Sequence, residues 1–322
     1  MKGHLLFLSA LLITLGWSVS ADERFYSQTV PVSLDYRLDK AHKGSDSLVV
    51  NVELVNVLFA VTDQKGKLVT NLNKSNLRLY EDKTLQTITN FSRETDLPLT
   101  IALLVDTSTS VRRRFEFEQQ AAIDFLYRTL RPKRDKAMLI TFDSGVELVQ
   151  DYTDSPDTLS QAIRQIRPGG GTKMLDAVYL ACREKLKAEP GRKIIVLISD
   201  GADNMSSETL SSTLDMAQKS DVSIYTVSTY SNGPSERAAH EPEQTLKTLA
   251  EETGGQAFFT SRAEDLSKSF GDIAQELRSQ YSLAYRSSNP SRDGSFRPIK
   301  IETDRKNLKV KARKGYYAPR NS

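Results

Sequence analysis

The chain has 322 residues, with 44 Lys and Arg against 41 Asp and Glu, one cysteine and three histidines. A net charge of +3 with no block of one sign excludes nucleic acid as the main partner. The lone Cys182 excludes an intramolecular disulfide framework and a cysteine-based zinc site, and His4, His42 and His240 leave little room for histidine chemistry.

Residues 1–21 read as an export signal: Lys2, an apolar stretch from Leu5 to Trp17, then the small residues Ser18, Ser20 and Ala21 as cleavage points. The stretch is shorter than the roughly 20 apolar residues of a membrane span, and no later segment is long and apolar enough. The expectation is an exported protein, periplasmic or extracellular, with no transmembrane segment after cleavage. Residues 22–47 are polar, without periodicity, and read as a flexible lead-in.

A first β block follows, over 48–97. Val49 to Thr62 is β-branched and partly alternating, which predicts a long strand. Leu77, Leu79 and Ile88 mark two further short strands around Glu81-Asp82-Lys83. From 98 to 278 the pattern changes. Leu99 to Val105 is a continuous apolar run, as in a strand buried on both faces of a parallel sheet. Helices are expected over Phe115–Leu130, Thr158–Ile166, Met174–Lys187, Ser207–Lys219, Glu243–Thr253 and Leu266–Arg278. Strands are expected over Ala137–Phe142, Val146–Tyr152, Lys193–Ser199, Val222–Ser228 and Gln256–Thr260. This alternation implies a doubly wound, mostly parallel α/β sheet. Phe115, Phe117, Phe125 and Tyr127 read as core, Cys182 as a small packed residue, and His240 as part of a polar loop. After Arg278 the chain returns to β character over 279–319, with strands at Tyr281–Tyr285, Phe296–Thr303 and Leu308–Arg313. Neither β block can bury a good core alone. The economical arrangement is one small β-sandwich, formed by both flanks, into which the α/β domain is inserted.

Three segments carry the chemistry. Asp106-Thr107-Ser108-Thr109-Ser110 follows the first buried strand, and Ser199-Asp200-Gly201-Ala202-Asp203 follows another. Gly169-Gly170-Gly171-Thr172 lies between two predicted helices. Ligands of open α/β sheets bind beyond the carboxyl ends of the strands, so the three can converge. Asp106, Ser108, Ser110, Thr172 and Asp200 offer only oxygen, which suits a hard divalent cation with about six oxygen ligands.

In this order and at these positions, DTSTS, GGGT and SDG resemble the von Willebrand factor type A domain, over about 99–278. The resemblance implies a metal-ion-dependent adhesion site holding Mg²⁺ or Mn²⁺, with Ca²⁺ a further candidate. Ser108 and Ser110 would be direct ligands and Thr172 a direct or water-mediated one. Asp106 and Asp200 would act through bound water, and one position would be left for an Asp or Glu of a partner protein. Thr109 departs from the pattern, where glycine is common. The flanking segments EDKTLQTITNFS and GYYAP resemble a bacterial exported subgroup of such proteins.

Arg112, Arg113 and Arg114 open the next helix, where cations are unfavourable by about 0.3–1 kcal/mol each. They and Asp203 are candidates for the rim of the site. The main rival is a haloacid dehalogenase-type phosphatase, built on Asp106, Thr172, Lys173, Asp200 and Asp203. Ser108 stands where most such enzymes carry the Asp that serves as general acid. A scaffold with a non-functional metal site is the remaining alternative. The expectation is a binding module, not an enzyme.

Overall fold

The computed structural model describes residues 54–93, 97–228, 236–260 and 262–320. The expected signal, the lead-in and residues 49–53 of the first expected strand lie outside the described residues. No helix among the described residues is long and apolar enough to cross a membrane.

The central layer is a six-stranded sheet of β5 (Leu99–Asp106), β6 (Lys136–Phe142), β7 (Val146–Thr153), β8 (Arg192–Ser199), β9 (Val222–Ser228) and β10 (Ala257–Phe259). Their order is β10-β9-β8-β5-β6-β7, and every pair is parallel except β6 with β7. All eight residues of β5 are buried, because alternate side chains enter opposite cores. Ile101, Leu103 and Val105 pack with α1 (Phe115–Thr129), α2 (Pro156–Gln165) and α6 (Ala263–Leu277). Ala102 and Leu104 pack with α3 (Met174–Leu180), α4 (Leu210–Lys219) and α5 (Glu236–Thr253). The strand order reverses between β8 and β5, which places a ligand crevice beyond their carboxyl ends.

The flanks form two further four-stranded sheets. One joins β1 (Val55–Thr62) and β4 (Ile88–Arg93) with β11 (Tyr281–Tyr285) and β13 (Lys309–Ala312), in the order β13-β1-β11-β4. The other joins β2 (Leu77–Glu81) and β3 (Thr84–Gln86) with β12 (Phe296–Thr303) and β14 (Gly315–Tyr317), in the order β14-β12-β2-β3. Val57 pairs with Leu283 and Leu79 with Ile301, so each sheet interleaves both flanks. Their shared core holds Phe59, Leu79, Tyr281, Leu283, Tyr285 and Ile301. The α/β domain inserted in a small sandwich, expected from the sequence, is the observed architecture.

One carboxylate clasps the two ends of the insert. Asp135 accepts the backbone N–H of Leu99, where β5 begins, at 2.9 Å. It also pairs with Arg278, just after α6, at 2.8 Å, and with Arg131 at 2.9 Å. Burial alone would raise its pKa, but the guanidinium groups of Arg131 and Arg278 and two backbone donors hold it well below the usual carboxylate range.

Several elements differ from the sequence expectation. The segment after Leu77 forms three strands rather than two, because Thr84–Gln86 folds back on β2. β14 is an additional strand of three residues. α2 begins at Pro156 behind a Ser155 cap, and α4 at Leu210 behind Thr209. α5 starts at Glu236 and runs through Pro242, so His240 lies in a helix and not in a loop. Beyond Ala181, α3 continues as a π-helical segment to Leu186, with Cys182 buried in it. On α1, Phe115 and Phe125 are core, but Phe117 and Tyr127 are 58% and 51% exposed. Each lies two residues beyond an inward-facing position, which is the far side of a helix.

Candidate metal centre

The buried strands β5 and β8 end side by side, so Asp106 and Asp200 reach the same edge of the sheet. Asp106 is fully buried and Asp200 nearly so. One Asp106 oxygen accepts the backbone N–H of Ser108 at 2.8 Å, and the other accepts the Ser199 hydroxyl at 2.6 Å. The chain then tightens into a 3-10 turn over Thr109–Val111. This turn brings the Ser108 and Ser110 hydroxyls within 2.9 Å of each other.

The glycine loop is stitched to that turn. Gly169 N–H donates to Thr107 O at 2.6 Å, and Thr109 N–H donates to Gly170 O at 3.2 Å. The Thr109 hydroxyl reaches the same Gly170 oxygen at 2.7 Å. The side chain that departs from the family pattern thus ties together two of the three loops. Gly170 has φ +90, and a Cβ there would stand 2.8 Å from the Ser144 hydroxyl, which is itself bonded to Gly171 N–H. Only glycine fits that backbone and that space. Thr172, 3% exposed, is held from the third loop: its N–H donates to the Asn204 side chain at 3.0 Å, and its carbonyl accepts from Asn204 and Met205. Asp106, Ser108, Ser110, Thr172 and Asp200 therefore lie on three mutually bonded loops.

The rim candidates divide. Arg112 and Arg113 are exposed, and Arg112 reaches Pro168 O, beside the glycine loop, at 3.5 Å. All three arginines belong to the turn before α1, which begins at Phe115. Arg114 is half-buried at its cap position, and Glu116 and Glu118 supply negative charge in the first turn. Asp203 faces inward on other work: it accepts Leu175 N–H at 2.8 Å and the Ser206 hydroxyl at 2.7 Å, capping α3. Ser199, which the sequence marks only as the first residue of its segment, and Asn204, which it does not mark, position the site. A buried serine at the end of an apolar strand, directly before Asp200, is the one signal that marked Ser199.

Burial first, and the neighbouring Asp200 charge last, push Asp106 up to about 6, against hydrogen bonds from Ser108 and Ser199 that lower it. No Lys, Arg or His among the described residues forms an ion pair with Asp106 or Asp200. Nor is any group of three or more His, Cys, Asp and Glu placed to hold a metal among the described residues. A cation here would therefore draw on hydroxyls as well as the two carboxylates. Two buried, uncompensated carboxylates beside three hydroxyls fit a hard divalent cation.

The family model of the von Willebrand factor type A domain matches residues 100–275, more than half of the chain. The chain belongs to the von Willebrand factor type A domain family. No curated protein matches it. Among solved structures it is similar to proximal thread matrix protein 1 from the mussel byssus, determined with a zinc-occupied MIDAS motif. That match has 20% identity and TM-score 0.50, and it covers 61% of this chain and 49% of that one. The chain thus spans about half the length of that relative, and the likeness is one of fold. A second match is the vWF domain of the type V pili tip protein Mfa5 from Porphyromonas gingivalis, at 14% identity and TM-score 0.44, covering 56% of this chain and 95% of that one. A third is an aerotolerance-related membrane protein from Bacteroides fragilis, at 17% identity and TM-score 0.44, covering 56% and 98%. The matched span of the von Willebrand A domain contains all three loops described above.

Proposed function

We propose that this protein is an exported, metal-dependent protein-binding module of adhesion type. Asp106, Ser108, Ser110, Thr172 and Asp200 would hold Mg²⁺ or Mn²⁺, with Ca²⁺ a further candidate. The cation would supply the positive charge that accepts an Asp or Glu side chain of a partner protein. The observation that carries this reading is the bonding of two strand-end loops and the glycine loop around two buried carboxylates that no basic side chain among the described residues neutralises. The family membership supports it. Export rests on residues 1–21, and the compartment would be periplasmic or extracellular. No turnover is proposed, since Ser108 stands where a phosphatase of the rival type would need its acid.

Pull-down from the native envelope or culture medium tests this reading. A partner should be retained with Mg²⁺, released by EDTA and absent with Asp106→Ala. Asp106→Ala should keep the fold, because Asp106 is the last residue of β5 and the apolar core of that strand lies before it; a thermal melt of the variant checks this. Retention that ignores both EDTA and Asp106→Ala would defeat the reading.

Arg112 and Arg113 are proposed to attract the acidic face of that partner. Changing both to Gln should weaken binding by roughly 3- to 10-fold at low salt and flatten its salt dependence. Affinity unchanged at every salt concentration would reject that role.

A further inference from the structure

We propose a second binding site in this protein, for a phosphoryl-bearing ligand, in a basic cleft at the end of the sheet opposite the metal centre. The cleft has a volume of about 710 Å³, within the range of small-molecule sites. Lys219, Arg286, Arg292, Arg297 and Arg313 line it against one carboxylate, Asp221. With Glu81 paired behind Arg297, these five cations face two carboxylates, a local excess of three positive charges.

Two of these guanidinium groups are fixed before any ligand arrives. Arg297 has 3% of its side chain exposed; it pairs with Glu81 at 3.5 Å and donates to Asn289 O at 2.9 Å. Arg313 has 14% exposed, and donates to Asp221 and to Asn56 O, both at 2.5 Å. In both residues the Nε–H is buried with no hydrogen-bond partner. Arg286 is exposed and has no ion pair among the described residues. The Lys219 ammonium stands 4.7 Å over the Tyr317 ring and is in no ion pair among the described residues.

Structural roles account for part of this set. Lys219 ends α4, where a cation is favoured by the helix dipole, and Arg297 and Arg313 hold strands through their ion pairs. They do not account for Arg286 entering the same cleft, where like charges repel. A group with two negative charges and several acceptor oxygens relieves that repulsion. A phosphoryl group has both, and arginine forks match its geometry.

The site is remote from the metal. Asp221 directly precedes β9, whereas Asp106 and Asp200 lie at the other ends of the parallel strands β5 and β8. The seven residues of β9 separate the two edges by about 20 Å.

Pyrophosphate, titrated calorimetrically in EDTA at about 0.15 M NaCl, tests the proposal. Saturable 1:1 binding with Kd below about 1 mM is expected, and it should weaken at least roughly tenfold in the Lys219→Ala/Arg286→Ala double variant. Both residues are exposed, so this variant should keep the melting temperature and the Mg²⁺ response of the wild type. In parallel, flotation with phosphatidylglycerol or phosphatidylcholine vesicles separates the sources. Pyrophosphate binding alone assigns a soluble phosphate compound. Binding to phosphatidylglycerol vesicles that the double variant loses assigns a lipid headgroup. No saturable binding in either arm, or binding the double variant retains, overturns the proposal.

Discussion

In EDTA at about pH 7.5, Asp106→Asn is expected to melt at a higher temperature than the wild type and to show no stabilisation by Mg²⁺. The two effects share one cause. In the folded, cation-free protein Asp106 is pushed up to about 6, chiefly by burial, whereas an unfolded Asp titrates near 4. The folded state therefore binds more protons than the unfolded state through that interval. By linkage, the contribution of Asp106 is fully present below about pH 4 and is lost as pH rises through 6. Two units correspond to about 3 kcal/mol, an order-of-magnitude cost that the charged form imposes above pH 6. Asparagine removes the charge but disturbs the bond from Ser199, so a net gain of roughly 1–2 kcal/mol is expected, or several degrees in Tm. Mg²⁺ should stabilise the wild type strongly at about pH 7.5 and weakly at about pH 5, where protons compete for Asp106. Thermal melts at both pH values, with and without cation, measure all of this. A variant less stable than wild type in EDTA, or one that still responds to Mg²⁺, would contradict the assignment of Asp106 as a buried charge awaiting a cation.

Removing Glu81 should cost about 3–5 kcal/mol, the largest loss expected of any single side chain in the sandwich. Glu81 is 1% exposed and lies on β2, in the N-terminal flank. Among the described residues, every partner of its side chain comes from the C-terminal flank. It accepts the Tyr285 hydroxyl at 2.6 Å, the Tyr316 hydroxyl at 3.0 Å and the Ser287 hydroxyl at 2.5 Å, and it faces Arg297 at 3.5 Å. Burial and this carboxylate together raise the pKa of both tyrosines, so they remain donors at any physiological pH. Glu81→Ala leaves the Arg297 charge buried without its counter-ion, which is why the penalty exceeds that of a lost hydrogen bond. Replacing the pair together, as Glu81→Met with Arg297→Met, should cost less than Glu81→Ala alone. Urea unfolding of the two single variants and the pair measures the coupling. A loss below about 1 kcal/mol for Glu81→Ala would show that apolar packing, not this network, joins the flanks.

The parts of this molecule that were legible in the sequence are those written in a regular period or a tight motif. Leu99 to Val105 announced a doubly buried strand because every residue is apolar, and the structure buries all of it. The Asp-x-Ser-x-Ser run and the SDG run stood out because they end such strands. Elements that depend on distant partners were not legible. β14 has three residues and exists only by pairing with β12. The start of α5 was hidden by Pro242, which reads locally as a helix boundary. Phe117 and Tyr127 look like core by residue type, and only their angular position on α1 turns them outward. Asp203 resembled a rim carboxylate, yet its oxygens satisfy the backbone of α3 and the loop at Ser206. Thr109 looked like a mere departure from glycine, and its bond to Gly170 appears only once the two loops are side by side.

The interleaved flanks impose an order on biogenesis. Val55 pairs with Tyr285 and Leu79 with Ile301, so β1 finds no partner strand, and β2 none but β3, until the whole inserted domain has emerged. At about 5–20 residues per second, the ribosome takes on the order of 10–50 s to cover that distance. The insert can fold meanwhile around its own local strand pairs, while β1 and β2 wait with open hydrogen-bonding edges that invite aggregation. Assembly of the sandwich is thus a late, long-range closure, and a holdase that shields those two nascent strands should raise the yield of folded protein more than one acting on the insert.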